Sequence, residues 1–296
     1  MKFYSPLRYP GGKSKLVPLI KLLISKAKRE SVTYIEPFAG GAGVALALLM
    51  EGLAERIIIN DCDRAIYSFW RSVKNEPSRL IELIAKTSIT IEEWHRQRTI
   101  YKNARGYSVE LAFATLFLNR VNRSGIITGG PIGGYEQKGE WKLDARFNKN
   151  AIIERINDIS LRGNAIITYN QDIICLIDRF MTKYTDNAFV YFDPPYYNKS
   201  QRLYKNFLSH DDHVRIAERI IGQTRCPWVI TYDDVPEIRE LYSVKDVRQF
   251  DLNYSAANKG KASEIIICSD SSLYPSDEEM ALAKVNLNIR IGREAK

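Results

Sequence analysis

Long apolar runs are missing from this 296-residue chain, so no membrane-spanning helix is expected. The N-terminus, Met1-Lys2-Phe3-Tyr4, meets Pro6, Arg8 and Pro10 at once, so no signal peptide is expected. Cysteine is scarce. Cys62, Cys175, Cys226 and Cys268 are widely spaced and form no CxxC pair, a pattern that argues for reduced thiols in a cytoplasmic protein and against a zinc site. His210 and His213 flank Asp211-Asp212, but Ser209 followed by Asp212 is the pattern of a helix cap, so no metal is expected there. Two phosphate-binding signatures are incomplete. Gly11-Gly12-Lys13-Ser14 has Leu7 where a P-loop needs its first glycine, and Gly41 and Gly43 are followed by Leu46 where the dinucleotide fingerprint needs its third. Acid is also in deficit. With 43 Lys and Arg against 35 Asp and Glu the chain carries a formal +8, and a basic surface attracts polyanions.

What is present is an alternation of apolar strands and amphipathic helices. Strands are expected at Val32–Glu36, Arg56–Asp61, Ala165–Tyr169, Phe189–Asp193, Trp228–Tyr232 and Glu264–Cys268, with helices at Ala42–Glu51, Asp172–Tyr184 and His210–Gly222 between them. That rhythm implies a mostly parallel α/β sheet. Residues 64–160 break it with four helical stretches, Ala65–Lys74, Ser78–Lys86, Ile91–Asn103 and Val109–Val121. A glycine-rich segment from Ser124 to Gly139 follows, suited to turns or a hairpin. The chain therefore divides into an α/β body, 1–63 with 161–296, and an inserted helical segment, 64–160.

Two strand ends carry chemistry. Glu36-Pro37-Phe38-Ala39-Gly40-Gly41-Ala42-Gly43 leaves a strand and opens a helix, where glycines let the backbone approach a ligand closely, and Asp61 closes the next strand in the position of a ribose-gripping carboxylate. Together these describe a site for an adenosine-containing cofactor that needs no pyrophosphate. Val190-Tyr191-Phe192-Asp193-Pro194-Pro195-Tyr196 ends another strand. Its prolines lock φ and remove two donors. The Pro194 carbonyl and the Asp193 carboxylate are then two fixed acceptors for an exocyclic amine, and Tyr196 adds a flat face for a base taken out of the stack. Such a displacement runs on positioning and electrostatics.

In this order, Tyr9-Pro10-Gly11-Gly12-Lys13, Glu36–Gly43 and Asp193-Pro194-Pro195-Tyr196 resemble the motifs of the Dam-like family of DNA adenine-N6 methyltransferases in their alpha arrangement. Asn119-Arg120-Val121-Asn122-Arg123-Ser124-Gly125 resembles the start of that family's target-recognition hairpin, and Leu252–Ser255 with Glu264–Ile266 resembles its C-terminal strands, so the likeness spans about residues 6 to 268. It implies a Rossmann-like methyltransferase sheet with a mostly helical target-recognition insertion carrying a hairpin. It also implies S-adenosylmethionine as cofactor, duplex DNA as partner, base flipping, and no metal or membrane; a cognate restriction enzyme stays open. By position, Asp193, Pro194, Pro195 and Tyr196 are catalytic. Tyr9, Gly12, Lys13, Glu36, Pro37, Phe38, Gly40, Gly41, Gly43, Asp61, Asp172 and Asp193 surround the cofactor. Arg8, Arg120, Asn122, Arg123, Ser124, Tyr135, Ser255, Asn258, Lys259 and Lys261 face DNA. The first motif departs from the family with Tyr9-Pro10 in place of Trp-Ala, and Gly129-Gly130-Pro131-Ile132-Gly133-Gly134 differs from relatives that read GATC, which leaves the recognition sequence open.

Overall fold

The computed structural model describes residues 2–8, 13–28, 31–179, 181–183, 187–198, 208–252 and 262–291. Its strands are β1 (Thr33–Glu36), β2 (Arg56–Asn60), β3 (Ile166–Tyr169), β4 (Ala188–Phe192), β5 (Trp228–Asp233), β6 (Val247–Leu252), β7 (Ala262–Cys268) and β8 (Ile289–Ile291). They fall into two compact units. The first comprises residues 1–14, 39–52 and 56–170, the second 15–38, 53–55 and 171–296.

In the second unit β1, β4 and β5 run parallel, Ile35 beside Val190 and Val190 beside Trp228. The sheet continues antiparallel through β7, β6 and β8. β4 is buried along its whole length, as a central strand covered on both faces must be. β5 and β7 lie antiparallel with Thr231 opposite Ile266 and Asp233 opposite Glu264. The polar ends of both strands are thereby brought to the edge where β4 runs out.

In the first unit β2 and β3 pair in parallel from Ile57–Ile166 to Asn60–Tyr169. The inserted segment packs as helices α3 (Arg64–Asn75), α4 (Pro77–Lys86), α5 (Ile91–Asn103), α6 (Val109–Val121) and α7 (Lys149–Ser160). Four of these have side-chain caps, from Asp63, Thr90, Ser108 and Asn148, each accepting from a backbone N–H of the first turn. Every residue of α6 except Glu110 is buried, so it is the axis around which the others pack. The rings of Phe113, Phe117 and Phe147 meet beside it. The expected hairpin is reduced to one antiparallel bridge, Asn122 with Pro131, followed by turns. Ser209 and Asp212 form a reciprocal capping box at the start of the helix His210–Gln223, the capping role expected of that segment.

Candidate functional site

The glycine turn is fixed by hydrogen bonds inside the first unit. Asp61 follows the tip of β2, and its backbone N–H donates to the Tyr169 carbonyl at 3.3 Å. Its carboxylate accepts from the Gly40 N–H at 2.9 Å and from the Asp63 N–H at 2.8 Å. The Gly40 carbonyl accepts from the Trp70 indole at 2.8 Å. Gly40 and Ala42 both adopt the left-handed region, φ 45° and 47°, so the turn is held in a conformation that side chains disfavour. Gly43 packs so tightly that a Cβ there would lie 2.7 Å from Ser14 Oγ. Asn170 donates to the Asp61 carbonyl and accepts from the Tyr107 hydroxyl, both at 2.7 Å. Burial pushes the Asp61 carboxyl up to about 7, against two backbone hydrogen bonds that lower it. Lys13, also in this unit, is buried.

The acid-diproline-tyrosine turn is built inside the second unit. Asp193 follows β4 and is half-buried, while Pro194 and Tyr196 are buried. Tyr191 and Thr231 share a 2.8 Å hydrogen bond, and Thr231 donates to Asp193 Oδ1 at 3.3 Å. Thr231 has one hydroxyl proton, so the run is Tyr191 to Thr231 to Asp193. The Tyr196 phenol donates to Glu264, itself buried at the start of β7. Asp233, the last residue of β5, accepts from the backbone N–H groups of Tyr197 and Asn198 at 2.9 and 3.1 Å. β1 ends beside β4, and its buried Glu36 acts with Asp193 on the phenol of Tyr34. Burial first, then these two charges, hold that phenol well above its usual range. Pro37 is buried and Phe38 half-buried beyond Glu36. Thr231, Asp233 and Glu264 were not singled out in the sequence. Their signal was a polar residue at each end of an apolar strand, as in Thr231-Tyr232-Asp233 and Glu264-Ile265-Ile266.

The other expected contacts sort unevenly. Tyr9, Gly12, Ser255, Asn258, Lys259 and Lys261 lie outside the described residues. Asp172 is exposed and caps the following helix, accepting from the Ile174 N–H at 2.9 Å. Arg123, Ser124 and Tyr135 are exposed. The Tyr135 ring lies against Trp94 and stacks on His95. Asn122 is not a surface contact. It is wholly buried, its Oδ1 accepts from the Trp94 indole at 2.7 Å, and its Nδ2 donates to the carbonyls of Ile126 and Ile127. Its side chain thus ties the segment after α6 together from inside, and the Ile126 carbonyl also accepts from the Gly129 N–H at 2.9 Å. Arg120 is likewise only 9% exposed, at the inner end of α6 rather than splayed from it. Among the described residues no group of three or more His, Cys, Asp or Glu could hold a metal, and no helix is long and apolar enough to cross a membrane.

The strands are those of a Rossmann-like methyltransferase sheet. One strand end carries a glycine turn and a carboxylate, another an acid-diproline-tyrosine turn, and this set defines an S-adenosylmethionine-dependent methyltransferase. The family model described as D12 class N6 adenine-specific DNA methyltransferase matches residues 9–255, and the chain belongs to that family. It is accordingly an adenine-specific DNA methyltransferase, acting on the N6 amine with S-adenosylmethionine as methyl donor. Among curated relatives it is 27% identical to Type II methyltransferase M.MjaIII of Methanocaldococcus jannaschii, over 72% of this chain and 77% of that protein. It is 24% identical to Type II methyltransferase M1.LlaDCHI of Lactococcus lactis subsp. cremoris, over 88% and 93%. A solved structure, the rRNA methyltransferase aviRa from Streptomyces viridochromogenes, matches with TM-score 0.36 and 12% identity, covering 83% of this chain and 79% of that one.

Proposed function

We propose that the turn Asp193–Tyr196 receives adenine flipped out of duplex DNA, and that residues 64–160 with Arg8 choose the site and grip the strand. Asp193 accepts one N–H of the exocyclic amine and the Pro194 carbonyl the other. Two acceptors below the base plane favour a pyramidal nitrogen whose lone pair is free to attack. The Tyr196 ring, tethered through its hydroxyl to Glu264, offers its face to the purine. The observation that carries this assignment is the run from Tyr191 through Thr231 to Asp193. It points a proton at one carboxylate oxygen and so orients the other oxygen in advance, which is how a preorganised acceptor lowers a barrier.

The residues present suit the cofactor. The glycine turn has no room for a side chain at Gly43, and Asp61 offers a carboxylate to ribose hydroxyls. Glu36, Pro37, Phe38, Lys13 and Asp172 complete the proposed set. When bound, S-adenosylmethionine supplies an electrophilic methyl group on its sulfonium. Arg123, Ser124 and Tyr135, all exposed in the recognition loop, are the proposed base and backbone contacts.

The decisive test is transfer of labelled methyl from S-adenosylmethionine to duplex DNA. Asp193→Ala should lower the rate by about a hundred- to a thousand-fold, the usual loss on deleting one preorganised group. Label appearing only in RNA or protein would sink the assignment. Long-read sequencing of DNA from cells expressing the chain should show methyladenine within one sequence context. The relatives' names, Type II methyltransferase and Modification methylase StsI, support a restriction-modification setting. A nuclease encoded beside this chain and blocked by its mark is the corresponding partner.

A further inference from the structure

Within the first unit four arginines act on one another electrostatically, and among the described residues none of them is in an ion pair with a carboxylate. Arg120 comes from the last turn of α6, Arg155 from α7, Arg146 from the short helical turn Leu143–Arg146, and Arg8 from the N-terminal segment. Arg120 is nine-tenths buried, and its Nε has no hydrogen-bond partner among the described residues. The same holds for Nη1 of Arg8. The charges acting on Arg120 are those of Arg155, Arg8 and Arg146, all of its own sign. Burial first, and then these charges, push its guanidinium down to about 10, and Arg8 is lowered by burial and by Arg146. Taking an unpaired cation out of water opposes folding, and an unpaired buried donor adds to that.

The backbone around the cluster is held by uncharged groups. Asn119, one residue before Arg120, brackets the Arg8 peptide: the Arg8 N–H donates to Oδ1, and Nδ2 donates to the Arg8 carbonyl, both at 2.7 Å. Nδ2 also donates to the Gly125 carbonyl at 2.8 Å. Gly125, with φ +77°, lies so close that a Cβ would sit 2.3 Å from the Arg8 carbonyl oxygen. Arg155 donates to the Ser5 carbonyl at 3.1 Å, a neutral acceptor. Rigid backbone anchoring with unspent guanidinium donors is the construction of a preformed anion receptor.

We propose that Arg8, Arg120, Arg146 and Arg155 form a pocket for one phosphate of the DNA backbone, with Arg120 as its floor and Arg146 as its exposed rim. Arg146 and Arg155 thereby become DNA-binding residues alongside Arg8 and Arg120. The pocket deepens the DNA reading above and rests on it. Since phosphate contacts position the duplex without reading its bases, the pocket sets the register of the strand against the recognition loop and leaves sequence choice to that loop.

The test uses the full chain and two probes. With a duplex oligonucleotide, the slope of log affinity against log salt should become shallower by about 0.9 in the double variant Arg146→Gln, Arg155→Gln, the loss of one phosphate. The variant should keep the wild-type sequence preference and its affinity for S-adenosylhomocysteine. With inorganic phosphate and no DNA, the Arg120 Nε–H resonance of the wild type should shift and saturate, and in the double variant it should not. Both variant positions retain some exposure, and a thermal melt matching the wild type checks the fold. An unchanged slope with a wild type that binds duplex overturns the pocket alone. An Arg120 resonance indifferent to phosphate does the same. A wild type that binds no duplex at all overturns the pocket as a DNA contact together with the DNA reading.

Discussion

Asp61 is raised to about 7 by burial, and the consequence has a definite sign. In the ligand-free fold the protonated form is favoured over that in the unfolded chain. This contribution to stability is complete below about pH 4 and is lost as pH rises through 7. In the proposed cofactor site ribose hydroxyls donate to this carboxylate, and a charged acceptor holds them more strongly. S-adenosylmethionine affinity should therefore rise between pH 6 and 8, followed by calorimetry, and Asp61→Asn should bind more weakly with a flat profile. Gly125 makes a second prediction at this scale. Alanine there meets both a positive φ and the Arg8 carbonyl, so Gly125→Ala should cost about 1–3 kcal/mol in denaturant unfolding. Asn122 separates two roles. Asn122→Ala leaves the buried Trp94 indole N–H without its acceptor and removes the hydrogen bonds to the half-buried Ile126 and Ile127 carbonyls, a loss of about 2–3 kcal/mol in unfolding. A DNA contact would instead lower affinity and leave the melting curve unchanged.

The proposed catalytic turn depends on strands distant in sequence. Thr231 lies 38 residues from Asp193, and Glu264 lies 68 from Tyr196. Thr231→Val keeps the shape and removes the proton aimed at Asp193. It should lower kcat with little change in KM, and single-turnover methylation separates the two. Glu264→Gln retains an acceptor for the Tyr196 hydroxyl and should be milder than Glu264→Ala. Such partners were not legible in the sequence, because periodicity describes one segment and these are pairings between segments. The turn itself was legible: its acid, two prolines and tyrosine sit on consecutive positions after an apolar run. β1 to β5 and β7 were readable for the same reason. β6 was passed over since Val247-Arg248-Gln249-Phe250-Asp251-Leu252 is half polar, as suits a strand near the sheet's edge. α1 (Val17–Lys26) and α7 were also passed over, although Ile152, Ile156 and Ile159 mark one buried face of α7. Nothing local distinguishes the buried Asn122 from an exposed one beside two arginines.

Across the whole molecule the excess of 43 basic over 35 acidic side chains gives an attraction to DNA that salt weakens. Duplex affinity should fall steeply between 50 and 200 mM salt, while S-adenosylhomocysteine affinity stays nearly constant; filter binding and calorimetry on one preparation compare the two. The class of fold was legible at this scale because strands and helices alternate, and the convergence of Arg8, Arg120, Arg146 and Arg155 was not, since they are spread over 148 positions (8 to 155). The anchorage of Tyr196 on Glu264 also bears on how the enzyme comes into being. Synthesis proceeds from the N-terminus, so a nascent polypeptide acquires its amine-binding turn long before the carboxylate that steadies it leaves the ribosome. A transcript broken ahead of codon 264 yields a protein that still displays the signature tetrapeptide and marks no genome.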